Sequence, residues 1–162
     1  TGNNVCHLIQ YKKGSKYESP NLKKILENKK ILKIFHYARF DVAVINYNFK
    51  ISINSIYCTK IASKLTRTFT DKHGLKDLCK ELLNIEISKL QQSSDWGRDK
   101  LSQAQLRYAA TDVLYLHKIK ENLDRMLTRE KRNELAKECF KFINYRTDLD
   151  LLGWEQVDIF SH

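Results

Sequence analysis

The chain has 162 residues, 42% of them apolar and 10% aromatic, enough to fill the core of one ordinary domain and too apolar for a disordered segment. Lysine and arginine number 29 against 19 aspartate and glutamate, and the net charge of +10 points to an anionic partner such as nucleic acid, although solvated lysines also produce such a charge. The scattered Cys6, Cys58, Cys79 and Cys139 form neither a zinc motif nor a disulfide framework, and no apolar run reaches the roughly 18 residues of a membrane span.

In chain order, residues 5–11 predict a strand, preceded by the turn-like Thr1-Gly2-Asn3-Asn4. Ser19 with Pro20 behind it supplies an N-cap and a proline at N1, predicting a short helix through Leu22, Ile25 and Leu26. Residues 31–35 predict a strand, residues from about 39 to 49 a helix, and residues 51–57 a short extended segment. A short helix is expected over 59–65, and Gly74-Leu75 opens another with Leu75, Leu78, Leu82 and Leu83 on one side.

Residues 89–99 are polar loop. Ser102 with Gln105 three positions on forms a capping box. It starts a long helix in which Leu106, Ala109, Val113, Leu116 and Leu123 repeat at helical spacing. Thr128 is expected to cap a further helix with Leu135, Cys139, Phe140 and Ile143 inward, and residues 149–162 form an apolar, acidic tail with Trp154 and Phe160. Strands early and helices late make the chain α/β, a single domain over 1–162 that is soluble, cytoplasmic and rich in buried free thiols.

Tyr108 and Asp112 lie four apart on the predicted helix, so they share a face with Cβ atoms roughly 5–6 Å apart. That spacing suits a carboxylate that holds a metal and a phenol that touches the water beside it. An exposed acid and a half-buried tyrosine fit the same residues. Asp41 offers a second carboxylate at a strand-to-helix junction, where the helix macrodipole also favours an acid without any function. Trp96 suits stacking on a base or packing in a core. Arg67, Lys72, His73 and Lys89 suit phosphate contacts or simple solvation.

Phe35-His36-Tyr37-Ala38-Arg39-Phe40-Asp41 and Tyr108-Ala109-Ala110-Thr111-Asp112-Val113 together resemble two motifs of the DEDDy 3′–5′ exonucleases. This family is the branch of the RNase H-like (DnaQ-like) superfamily that includes ribonuclease D. Ser94-Asp95-Trp96, Leu101-Ser102-x-x-Gln105 and residues 70–76 also sit where that family has such stretches. Within the family, residues 58–68 and the tail lean toward nano-RNase C, a small alphaproteobacterial enzyme that cleaves dinucleotides.

The resemblance implies an RNase H-like α/β fold with a mixed sheet flanked by helices. It implies Asp41 and Asp112 as ligands in a two-metal Mg²⁺ or Mn²⁺ site, with Tyr108 orienting the attacking water. His36, Phe40, Lys89, Gln92, Ser94 and Trp96 are then expected to touch substrate. The substrate implied is RNA in short oligoribonucleotides, released as nucleoside 5′-monophosphates, and the resemblance also implies a dimer-based or ring-like homo-oligomer with the apolar tail as an interface. The family's first motif, Asp-x-Glu on a first strand, is expected just before Thr1, outside this sequence, which implies an N-terminally incomplete domain. The alternative is a non-catalytic exonuclease-fold remnant that binds RNA or oligomerises.

Overall fold

Two three-residue strands carry the centre of the fold in the computed structural model, which describes residues 5–12, 14–88 and 90–161. Lys33–Phe35 (β1) and Ile56–Cys58 (β2) run parallel, with Ile34 opposite Tyr57 and Phe35 opposite Cys58. Every residue of β2 is buried, the condition of a parallel strand covered on both faces.

Pro20–Glu27 forms α1 with Pro20 at its first turn; Ser19 caps no backbone amide, because its hydroxyl meets that of Tyr11 instead. Parallel strands need a crossover, and Ala38–Phe49 (α2) provides it, burying Ala38, Val42 and Phe49. Thr59–Thr66 (α3) follows β2 directly, and Leu75–Leu83 (α4) buries Leu78 and Cys79. Gln103–Leu114 (α5), Leu116–Arg129 (α6) and Asn133–Leu149 (α7) complete the helices. Leu116, Ile119, Leu123 and Leu127 form the apolar stripe of α6, which packs on α3 and α4. Ala136, Phe140, Ile143 and Thr147 turn α7 onto α2 and β2.

Several sequence expectations need correction. Residues 5–11 form no strand: Gln10 donates to the Arg98 carbonyl at 2.8 Å, and the Tyr11 ring packs on Tyr17 and Phe49. A strand needs a neighbour to complete its ladder, and among the described residues β1 and β2 pair only with each other. The sheet described is therefore parallel rather than mixed. The turn expected at residues 1–4 lies outside the described residues.

The long helix after Ser102 breaks at Tyr115 (φ −95°, ψ −6°) into α5 and α6. Thr128 does not cap α7. It lies inside α6, donating to the Asp124 carbonyl at 2.9 Å, while Lys131 makes the turn in the left-handed region with φ 55°. Leu135 is 54% exposed because the buried stripe of α7 runs one position later, from Ala136.

Arg67 and His73 are not solvated cations: they are 1% and 8% exposed. Arg67 is spent on Glu81, Ser63 and the Lys72 carbonyl, and His73 Nδ1 lies 2.8 Å from Ser63 Oγ. Cys58 and Cys79 are buried, and all four cysteines are free thiols. Among the described residues no helix is long and apolar enough to cross a membrane.

Candidate active site

The chain leaves β1 at Phe35 and enters α2 at Ala38, so it must turn within two residues. Tyr37 makes that turn in the left-handed region (φ 65°, ψ 45°), which is uncommon for a bulky residue. Ala38 and Val42 are both fully buried and anchor the first turns of α2 in the core. Asp41, half-buried, sits beside that anchor. Burial pushes its carboxyl up to about 6, and the charge of Asp112 adds to the effect.

Asp112 comes from α5, whose start is fixed by the predicted capping box. Ser102 Oγ accepts from the Gln105 amide at 3.2 Å, and Gln105 Oε1 accepts from the Ser102 amide at 2.9 Å. The buried Gln105 also holds the preceding loop: its Nε2 donates to Ser94 Oγ at 3.0 Å and to the Asp95 carbonyl at 2.8 Å. Ser94 Oγ in turn donates to the Gln91 carbonyl at 2.8 Å, which spends its one proton inside the loop. Trp96 donates its indole N–H to the same carbonyl at 3.2 Å and tilts its ring toward Tyr108, centroids 5.9 Å apart. One glutamine thus ties the loop of Ser94 and Trp96 to the helix of Tyr108 and Asp112.

Asp112 is the electrostatic hub. Burial raises its own carboxyl, and its charge adds to burial in raising Asp41, Tyr108 and Cys79. The Cys79 thiol, on α4, is pushed up to about 11 and is an inert neighbour rather than a nucleophile. Nothing in the sequence spacing marks Cys79 as part of this group. Neither aspartate takes part in a salt bridge among the described residues.

Two half-buried carboxylates, both raised by burial and one of them also by the other's charge, suit a hard divalent cation, whose charge would offset the repulsion and whose preferred ligands are oxygens. Among the described residues no group of three or more His, Cys, Asp or Glu side chains could hold a metal.

The remaining predicted residues are more dispersed. His36 is held by Thr59, Nδ1 to Oγ1 at 2.9 Å. Phe40 is 64% exposed and lines a groove with Val44, Tyr47 and Leu151. Gln92 is exposed in the loop, and Lys89 lies outside the described residues. Thr59 and Lys60, which set the state of His36, were marked in the sequence only by the family resemblance of residues 58–68.

Residues 1–128 match the family model described as a 3′–5′ exonuclease. Ribonuclease D of Granulibacter bethesdensis is 32% identical over 137 residues, 82% of this chain and 34% of that protein. The chain thus spans about a third of the length of such curated relatives. Brucella melitensis NrnC bound to pGG superposes with a TM-score of 0.89 at 54% identity, over 93% of this chain and 72% of the other. The same protein with bound Mg²⁺ gives a TM-score of 0.89 at 52% identity, over 94% and 74%. The chain belongs to the 3′–5′ exonuclease family, and its fold is the RNase H-like α/β fold of ribonuclease D and NrnC.

Proposed function

We propose that this chain is a divalent-metal-dependent 3′–5′ exoribonuclease domain that hydrolyses short RNA, down to dinucleotides, to nucleoside 5′-monophosphates. The observation that carries the reading is the Asp41–Asp112 pair, two half-buried carboxylates from two separate elements, with Asp41 pushed up to about 6 by burial and by its partner. Crowded carboxylates of this kind are costly without a cation to share. The similarity to an NrnC with bound Mg²⁺, and to one bound to pGG, supports both the ion class and a short substrate.

Asp41 and Asp112 would hold Mg²⁺ or Mn²⁺ together with oxygen ligands that the described residues do not provide. Such a metal, when bound, would supply an activated water and offset charge building on the phosphodiester. Tyr108, one helical turn before Asp112, stays protonated under burial and the charge of Asp112, and its phenol orients the water. Trp96 offers a ring face to a base, its N–H already being committed to Gln91. His36, Phe40, Lys89, Gln92 and Ser94 complete the proposed substrate contacts. The exposed Leu152, Trp154 and Phe160 of the tail serve a homo-oligomer of this cytoplasmic protein.

Incubation with Mg²⁺ or Mn²⁺ and a 5′-labelled ribodinucleotide, beside a longer RNA, tests the reading. Metal-dependent release of mononucleotide, faster from the dinucleotide, is expected. No release from either substrate would overturn it. The lack of a third metal-ligating side chain among the described residues favours a second reading, a remnant that binds RNA without cleaving it. RNA binding with no hydrolysis at any concentration of either metal would select that one.

A further inference from the structure

The hydrogen bonds around His36 determine which of its ring nitrogens holds the proton. Nδ1 lies 2.9 Å from Thr59 Oγ1, and that hydroxyl lies 3.1 Å from the Phe35 carbonyl. Thr59 is fully buried, and its hydroxyl has a single proton to give. A carbonyl can only accept. Both contacts are satisfied together only when Thr59 donates to Phe35 and accepts from Nδ1–H of His36, and leaving a buried contact without its hydrogen is costly.

The neutral ring then carries its lone pair on Nε2. No described residue bonds that atom. Since every buried side-chain nitrogen and oxygen among the described residues has a partner, Nε2 is not sealed inside the protein and keeps some access to solvent. Protonation is opposed as well: burial, then the Lys60 ammonium, hold the imidazole down to about 4. Lys60 is itself fixed over the Tyr37 ring, 4.0 Å from the centroid. At neutral pH His36 is an acceptor at the mouth of the strand-to-helix turn that leads to Asp41. It is not a cation for phosphate.

We propose that His36 Nε2 accepts a hydrogen bond from a sugar hydroxyl of the bound strand and so distinguishes ribose from a sugar lacking that group. This rests on the reading of the site as one for RNA. A phosphodiester offers only acceptors, and the donors on bases differ from one nucleobase to the next. A sugar hydroxyl is the donor common to every ribonucleotide, and the 2′-hydroxyl is the one that separates RNA from DNA. The 2′-hydroxyl and a terminal 3′-hydroxyl share this chemistry.

Two measurements on the full chain test it. Nitrogen-15 spectra of the histidine side chains at neutral pH should show His36 as the Nδ1–H tautomer, with Thr59→Val shifting it toward a mixture; an Nε2–H tautomer in the unmodified protein would overturn the proposal. Dissociation constants are then measured for a ribodinucleotide and its 2′-deoxy and 3′-deoxy analogues. One analogue should bind about 3- to 10-fold more weakly, the value of one neutral hydrogen bond, and which one identifies the hydroxyl. His36→Ala should erase that preference and His36→Gln, which keeps an acceptor, should restore part of it. Equal affinity for all three ligands, or a preference undiminished in His36→Ala, would refute it. These readouts concern binding, so a chain that shows the preference but cleaves nothing would refute the exonuclease reading alone.

Discussion

Arg39 and Asp150 are joined by two hydrogen bonds of 2.6 Å, from Nε and Nη2 to the two carboxylate oxygens. Two parallel bonds between planar charged groups fix orientation as well as distance. Arg39 also donates to the Glu155 carbonyl at 2.9 Å, and Arg146 shares Asp150 at 3.0 Å. The tail is thereby fastened to α2 two residues from Asp41, with Asp150 only 14% exposed and Arg39 at 35%.

Asp150→Ala should cost about 1–3 kcal/mol, because it leaves two arginines without their carboxylate. Solvent around Arg39 places the loss toward the lower end. Urea unfolding reads the stability, and limited proteolysis should cut the tail sooner than in the unmodified chain. An unchanged rate of tail cleavage would contradict the clamp.

The raised carboxyl of Asp41 sets a pH slope. In the unfolded chain it ionises near its ordinary value of 3.8, whereas in the fold it keeps its proton up to about 6. The folded state thus binds more protons between these values, and this group's contribution makes stability fall as pH rises from about 4 to about 6. Asp41→Asn should flatten that part of a stability-versus-pH curve and raise the melting temperature at pH 7. A steeper curve, or a lower melting temperature, would show that the carboxylate is stabilised by something else.

Mg²⁺ or Mn²⁺ should raise the melting temperature at pH 7 by mass action on the folded state. The gain should shrink at pH 5, where the Asp41 carboxyl holds its proton and the proton competes with the metal. Asp112→Asn should remove most of the gain and lower the rate on a ribodinucleotide by about 10²–10³-fold, whereas Tyr108→Phe should lower the rate about 10²-fold and keep the metal-induced stabilisation. Calorimetry with and without metal, beside a mononucleotide-release assay, separates the two variants.

Gln105→Leu should destabilise the chain by about 2–4 kcal/mol, since it removes the reciprocal half of the capping box and two buried bonds to the loop. Trp96 reports the loosening: its fluorescence should move toward that of a solvated indole. Gln105→Glu, which keeps the acceptor for the Ser102 amide but not the donor to Ser94 and Asp95, should retain the helix start and lose the loop.

Local rules located what depends on neighbours in sequence. The capping box at Ser102, the proline opening α1 and the Leu78 face of α4 are all decided within a few residues, and each occurs where its pattern predicted. The strand expected over 5–11 fails because strand formation depends on a partner that spacing cannot supply. The break at Tyr115 is equally silent, since apolar residues keep a helical period on both sides of it. Arg67 read as a surface cation because Glu81, which makes its burial tolerable, lies on a different helix. At the site, the residue types of Asp41, Tyr108 and Asp112 were legible; the field of Asp112 on the other two, and the intrusion of Cys79 into it, needed the fold.

Gln105 is the one buried side chain among the described residues of α5, whereas α6 buries four apolar ones. The helix that carries Tyr108 and Asp112 therefore has little oily footprint, and its position depends on a few directed polar bonds. Such a segment opens at low free energy and can settle against an incoming strand without disturbing the core. Amide hydrogens of α5 should exchange well ahead of those of α6, and a bound ligand should slow the first set far more than the second.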